Sequence, residues 1–387
     1  MVREVKMKIF YVTSTFGIHD YRFLTKLSSS KNEIHLISFL NPLAETNSKY
    51  MFQEIISLPC LLIHHYKDFS RGKRLPIVLE VFRRANYLRQ KISQIKPDVV
   101  HSGWVQTDSL YAVLAGAKPL LIMTWGSDIL LEPKKSKFWF YLTKFVLSQA
   151  SMVYSDCEEV KNRVINICPK CFGKTIVFPQ LGIDRQQFFP VSMEEKQRLK
   201  EKLGFSQDKV LVMTRHFEPV YGVEFFVRAL ASKIEIGQPI RTVLIGGGSL
   251  FDSMQQLAKQ LGVFEQISFL GRVDNKDLPL YYQCADIYVS SSLSDGTSLS
   301  LLEAMSCGLP VVVSDVPAYH DWIEDGINGY FSSQKNPVVL AEKIGRLLRD
   351  KPLMEKMRQK NLLIAEERID WNQNFEKLLV VYQGLVN

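Results

Sequence analysis

Apolar positions along this chain fall into two alternating patterns. Short, nearly continuous apolar runs predict β-strands at 8–13, 33–40, 98–102, 120–124, 152–154 and 174–178. Amphipathic stretches lie between them, clearest at 77–95 and 107–115. The second half repeats the scheme, with strands at 210–214, 242–245, 267–270, 287–289 and 310–313 and helices at 223–231, 251–261, 277–283, 298–305 and 338–348. Strands apolar on both faces, alternating with helices of 3.6 period, predict parallel sheets covered on both sides. Two such series in tandem predict an α/β chain of two doubly wound, Rossmann-like domains. Ligands of such sheets bind beyond the carboxyl ends of the strands, so a cleft between facing domains is the expected site. The boundary is expected near Gly182-Ile183-Asp184, giving domains 1–185 and 186–370, with a charged helical segment at 193–203. In the final segment Trp371, Phe375, Leu378, Leu379 and Tyr382 recur at helical spacing. That apolar face needs cover, so a helix 371–387 is expected to pack back on the first domain.

Composition narrows the class. With 46% hydrophobic and 23% charged residues over 387 positions, the chain reads as globular and too long for one ordinary core. No apolar run approaches the ~18 residues of a spanning helix, and the start lacks a secretory apolar segment, so a cytoplasmic protein is expected. Six scattered cysteines fit a reduced compartment. Cys168-Pro169-Lys170-Cys171 lacks further ligands at metal spacing and precedes a strand rather than opening a helix, which argues against zinc and redox roles.

Charge is uneven. Residues 1–185 carry net +11 and residues 186–387 net −3. The basic residues cluster at Arg71-Gly72-Lys73-Arg74, at Arg83-Arg84 and at Lys134-Lys135-Ser136-Lys137, the last running into Phe138-Trp139-Phe140-Tyr141. Lysines beside exposed aromatics suit a helix lying on anionic lipid, which makes a peripheral membrane contact one reading. The other is a basic helix whose aromatics face its own core. No nucleic-acid module accompanies the charge, so nucleic acid is not expected as a partner.

The densest chemistry lies at 290–305. An apolar strand runs into Ser290-Ser291-Ser292-Leu293-Ser294-Asp295-Gly296-Thr297-Ser298-Leu299, and this turn opens a helix carrying Glu303. Backbone N–H groups at such a helix start favour an anion without any cationic side chain. Asp295 and Glu303 flank that position and are both able to accept hydroxyl hydrogen bonds. Two hydroxyl acceptors around a phosphate cradle describe a nucleotide-sugar. The plainer alternative makes Ser300 and Glu303 a capping box and Asp295 a turn residue.

Several segments in a fixed order resemble family 4 retaining glycosyltransferases of the GT-B architecture (glycosyl transferases group 1). They are Asp98-Val99-Val100-His101, Trp125-Gly126-Ser127-Asp128, Leu181-Gly182-Ile183-Asp184 with Phe189-Pro190, and Asp295-x7-Glu303 followed by Ala304-Met305-Ser306-Cys307-Gly308-Leu309-Pro310. Ser314-Asp315 and Asp325-Gly326-Ile327-Asn328-Gly329-Tyr330 match the turns beyond. The resemblance implies that Glu303 holds ribose hydroxyls and that Asp295, where most members have Glu, meets the donor sugar. It implies that backbone N–H groups of Gly296, Thr297 and Ser298 bind the diphosphate, that Leu299 also lines the donor site, and that Arg215 neutralises the leaving charge. Asp295, Glu303 and Arg215 are thus the implied catalytic residues. Gly17, Gly246, Gly247, Arg272 and Val273 would line the donor site, and His101, Trp125 and Asp128 the acceptor side. Two departures stand out. Tyr221 occupies the place of a usual Lys, and Trp125 that of a usual His.

The implied reaction is transfer from a nucleotide-sugar, with UDP favoured as the carrier, to a glycan or lipid-linked acceptor with retention of configuration. The chain has no Asp-x-Asp triplet, so neither metal nor other cofactor is expected, and the donor phosphate would itself accept the acceptor's proton. Two rivals remain: a UDP-sugar epimerase of similar fold, which needs no acceptor, and a non-catalytic nucleotide-sugar-binding protein, which the change at Tyr221 would favour.

Overall fold

A computed structural model describes residues 6–14, 16–39, 55, 58, 60–66, 76–179, 182–205, 208–232, 234 and 237–386. The chain divides into two compact units, one of residues 1–179 with 375–387 and the other of residues 180–374. Each is built on a parallel sheet.

The first sheet comprises β1 (Lys8–Thr13), β2 (Glu33–Ser38), β3 (Leu61–His65), β4 (Val99–Ser102), β5 (Leu120–Met123), β6 (Met152–Ser155) and β7 (Thr175–Val177). Its spatial order is β3-β2-β1-β4-β5-β6-β7, and every recorded pairing is parallel. The central strands are buried on both faces, as in Val99, Val100, His101 and Ser102 of β4. That is why they read as unbroken apolar runs. The second sheet comprises β8 (Lys209–Thr214), β9 (Ile240–Ile245), β10 (Ile267–Gly271), β11 (Ile287–Ser290), β12 (Val311–Ser314) and β13 (Gly329–Ser332), in the order β10-β9-β8-β11-β12-β13. One of its cores joins Leu211, Met213, Val227, Leu244 and Val289 of the strands and first helix to Ile344 and Leu347 of the helix Pro337–Arg349.

In both sheets the strand order reverses at one place: between β1 and β4 in the first, between β8 and β11 in the second. Loops leaving adjacent strands in opposite directions open a crevice at their carboxyl ends, where ligands of doubly wound sheets sit.

Some expectations shift. The helix expected at 107–115 is a wide turn at Val105–Ser109 leading into a shorter helix, Leu110–Ala115. β3 and β13 add an edge strand to each sheet beyond those predicted. β3 ends in His64-His65, and β13 is only Gly329–Ser332, so neither offers the apolar run that marks a covered strand. The cluster at Arg71–Arg74 and Leu181 lie outside the described residues. All six cysteines are free, and burial pushes the Cys171 thiol up to about 12, leaving it unreactive.

The final helix, Trp371–Val386, joins the first unit from Phe375 onward. There Tyr382 bonds His101 Nδ1 at 2.5 Å, and Lys26 lies 5.4 Å from the Phe375 ring centre. Another fixture is Asp286, which ties the helix Met193–Lys202 to β8. Its carboxylate takes Lys200 Nζ at 2.6 Å and Lys196 Nζ at 2.9 Å, and accepts the Val210 N–H at 2.8 Å. Burial pulls this carboxyl upward, but the two ammonium groups outweigh it and hold Asp286 below the usual carboxylate range.

Candidate functional site

In the second unit the residues singled out in the sequence converge beyond the ends of β8 and β11, at the reversal of strand order. Arg215 follows β8 directly, and Asp295 and Ser298 follow β11. Arg215 Nη2 donates to Asp295 Oδ2 and Ser298 Oγ, and lies 2.8 Å from the Tyr319 hydroxyl. Tyr319 in turn donates its proton to Asp295 Oδ2 at 2.8 Å. One carboxylate oxygen and one guanidinium nitrogen thus share a closed triangle with a phenol. Burial opposes charge on Arg215, but adjacent Asp295 outweighs it and raises the guanidinium further above its ordinary value. Arg215 Nε is buried without a partner among the described residues.

Glu303 is the more deeply buried of the two carboxylates. It lies on the helix Leu299–Ser306, only 5% exposed, and its Oε2 accepts from the Tyr282 hydroxyl at 2.9 Å. Tyr282 also meets Thr214 Oγ1, the residue before Arg215. Burial, and next the Glu303 charge, push the Tyr282 phenol well above its ordinary value, so it stays a donor. Each of the two carboxylates is therefore oriented by a buried tyrosine.

The capping-box reading of Ser300 and Glu303 fails. Ser298 is the N-cap, accepting from Leu301 N at 3.2 Å, while Ser300 Oγ pairs with the Tyr288 hydroxyl at 2.9 Å. Glu303 is consequently not spent on the helix start. The helix begins at Leu299, so its first-turn N–H groups are those of Leu299 and Ser300, with buried Gly296 and Thr297 in the approach.

The glycine turn after β9 is required by close approach. Gly246 has φ of +141°, and a Cβ there would meet Arg215 O at 1.9 Å. Gly247 lies beneath the Arg272 side chain, whose Nε would be 3.3 Å from a Cβ on it. Arg272 is exposed and Val273 half-buried, so both sit at the rim of the same sheet end.

The first unit places its candidates at the ends of β1, β4 and β5. Gly17 starts the helix Ile18–Ser28, with its N–H bonded to Asp20 Oδ2 at 2.9 Å. Its φ is −132°, and an added Cβ would come no nearer than 3.9 Å to Asp20, so the fold itself does not demand glycine. Trp125 is half-buried, its N–H held by Asp128 Oδ1 at 2.9 Å. Asp128 is wholly buried, and its other oxygen accepts the Val105 N–H at 3.3 Å. Burial pushes its carboxyl up to about 7. Both oxygens thus brace backbone outside the short helix Ser127–Leu130 rather than reaching outward. His101 is likewise fully buried, among Tyr11, Phe23 and Tyr382.

Tyr319 and Tyr282 escaped sequence reasoning. Tyr282 is 21 residues from Glu303, Tyr319 is 24 from Asp295 and 104 from Arg215, and a lone tyrosine in a turn or helix carries no spacing signal.

Comparison with known proteins places these features in context. The family described as "Glycosyl transferases group 1" matches residues 195–362, and "Glycosyl transferase 4-like" matches residues 8–157. An uncharacterized glycosyltransferase of Methanocaldococcus jannaschii is 29% identical over 204 residues, covering 52% of each chain. N-acetyl-alpha-D-glucosaminyl L-malate synthase of Bacillus anthracis is 29% identical over 297 residues, covering 74% of each. The match thus spans about half the length of the first relative and three quarters of the second. Among solved structures, Anabaena HepE in complex with UDP superposes with a TM-score of 0.79 at 18% identity, over 98% of this chain and 100% of that one.

Proposed function

We propose, from the premise that this chain belongs to the glycosyl transferases group 1 family, that it moves a sugar from a nucleotide-sugar to a glycan or lipid-linked acceptor with retention of configuration. The observation that carries this reading is the pairing of Arg215 with Asp295 and Ser298 at the start of the Glu303 helix. A fixed cation and first-turn N–H groups of a helix meet there, and both favour an anion such as a diphosphate. Glu303 supplies the oxygen acceptors that ribose hydroxyls need. UDP in the similar Anabaena protein supports uridine diphosphate as the carrier.

In this reading Arg215 and the N–H groups of Leu299 and Ser300 stabilise the leaving diphosphate, with Gly296, Thr297 and Ser298 lining its approach. Gly246, Gly247, Arg272 and Val273 border the nucleotide. Asp295 orients Arg215 and meets the donor sugar. The first unit binds the acceptor. Transfer proceeds by charge stabilisation and orientation, without a resident metal, the donor phosphate oxygen taking the acceptor proton.

The surface of the first unit suggests where that acceptor resides. The helix Lys137–Gln149 buries Thr143, Val146 and Leu147 and turns Phe138, Tyr141 and Phe145 outward, beside exposed Lys134, Lys135, Lys137 and Lys144. Aromatics at i, i+3 and i+7 framed by lysines suit an anionic membrane surface and favour a lipid-linked acceptor. No helix among the described residues is long and apolar enough to cross a membrane.

The test is UDP release from UDP-glucose and other UDP-sugars with candidate acceptors, in the native chain and in Glu303→Ala. Activity that falls at least about a hundredfold in a folded variant supports the site. Near-native turnover by that variant overturns it. Conversion of the UDP-sugar into its epimer without acceptor and without UDP release would instead indicate an epimerase.

A further inference from the structure

Arg215 is held by two tyrosines, one through its hydroxyl and the other through its ring. The Tyr319 hydroxyl lies 2.8 Å from Nη2 and donates to the Asp295 oxygen that Nη2 also meets. Tyr319 is fully buried, and the Ser290 hydroxyl lies 3.3 Å from its oxygen. The guanidinium carbon also lies over the Tyr221 ring, 5.3 Å from its centre. That is within the range of a cation–π contact, and desolvation strengthens such contacts. The Tyr221 hydroxyl makes no hydrogen bond among the described residues, so the protein uses its ring alone.

The Tyr221 ring is itself fixed. The turn Pro219–Tyr221 is tied to the segment after β11 on both sides: Leu293 N donates to Val220 O at 2.8 Å, and Ser291 Oγ to Gly222 O at 2.8 Å. Gly222 is required there, because its φ is +58° and a Cβ would meet Ser291 O at 2.2 Å. The loop that carries Tyr221 is thus pinned to the strand that leads to Asp295. With Nη2 held by Asp295, Ser298 and Tyr319 and the guanidinium carbon over the Tyr221 ring, Nη1 and buried Nε are left without a hydrogen bond among the described residues.

We propose that Tyr221 and Tyr319 are positioning residues that clamp Arg215 with Nη1 and Nε presented to the diphosphate. This inference rests on the donor-site reading above and extends it. Tyr221 thereby takes up the place of an expected second cation not with charge but by holding the one cation present. The two tyrosines act through different atoms, Tyr319 through its hydroxyl and Tyr221 through its ring. They should therefore respond oppositely to replacement by phenylalanine, which a merely structural role would not produce.

The experiment measures binding of UDP and of inorganic pyrophosphate by calorimetry in the full chain, with melting temperatures recorded alongside. Tyr319→Phe and Tyr221→Leu should each weaken binding about tenfold, whereas Tyr221→Phe should restore most of what Tyr221→Leu loses. In an Arg215→Ala background, which should itself lose most pyrophosphate binding, Tyr221→Leu and Tyr319→Phe should cost less than about twofold more. Unchanged affinity in Tyr221→Leu and Tyr319→Phe, with a strong loss in Arg215→Ala, would overturn the clamp and leave the donor site standing. Full additivity with Arg215→Ala would also overturn it, since the tyrosines would then act independently of the arginine. Unchanged binding in Arg215→Ala would overturn the donor-site reading itself.

Discussion

His101 lends itself to a quantitative test, because its buried and functional readings predict different pH dependence of stability. The imidazole is 0% exposed, Nδ1 meets the Tyr382 hydroxyl, and the ring packs against Tyr11 and Phe23. Burial drives its pKa from 6.5 down to about 3. A base depressed in the fold stays neutral there while the unfolded chain takes up a proton near pH 6.5. Its contribution to stability is therefore complete above pH 6.5 and is lost progressively as pH falls toward 3. At about 1.4 kcal/mol per pH unit, lowering pH from 6.5 to 5 costs about 2 kcal/mol through this group. His101→Phe removes the titration and also the bond to Tyr382, so it should lower stability near pH 7.5 by about 1 kcal/mol yet flatten the decline toward pH 5. Urea unfolding followed by tryptophan fluorescence reports both units, and three of the five tryptophans, Trp104, Trp125 and Trp139, lie in the one that holds His101. Other groups titrate alike in both proteins and cancel in the difference. If native and His101→Phe chains lose equal stability between pH 7.5 and 5, His101 titrates in contact with solvent. It would then be available to an acceptor rather than locked in the core.

Two further perturbations follow from the same reasoning. Asp286→Ala strands the ammonium groups of Lys196 and Lys200 in a buried setting and frees the Val210 N–H, so it should destabilise the chain by about 3–5 kcal/mol in urea unfolding. A loss under 1 kcal/mol would mean that water reaches the pair. Replacing Lys134, Lys135 and Lys137 by Ser should weaken sedimentation with vesicles rich in anionic lipid, each lysine contributing about 1 kcal/mol at low salt. Binding that is unchanged and insensitive to salt would dismiss the membrane surface.

The legible parts of this molecule are those where one physical requirement acts on consecutive residues. Strands covered on both faces have to be apolar throughout, so β1, β4, β8, β11 and β12 stood out in the sequence. The edge strand β3, with its terminal histidines, did not. The site was half legible. Asp295, Ser298 and Glu303 share one turn and helix, and Arg215 ends a strand, so local pattern exposes them. Tyr319 and Tyr282 do not belong to any local pattern, because only the tertiary fold brings their hydroxyls to those carboxylates. The helix predicted from 298 begins at Leu299 with Ser298 as its cap, and the alternative cap at Ser300 fails although the two serines are equally good caps in isolation. The hydrogen bond of Ser300 Oγ with the Tyr288 hydroxyl decides between them. Likewise His101 and Tyr382 meet across 281 residues, a separation invisible to any motif.

The most direct test of the donor site is the melting temperature of the native chain with UDP and UDP-glucose, in EDTA and in Mg²⁺. A ligand at a hundred times its dissociation constant stabilises the folded state by about 2.7 kcal/mol, a shift of several degrees that Arg215→Ala should abolish. A rise with UDP that is equal in EDTA and Mg²⁺ is the expected result. No rise with UDP, UDP-glucose or any other nucleoside diphosphate would contradict a nucleotide-sugar site built on Arg215, Asp295 and Glu303.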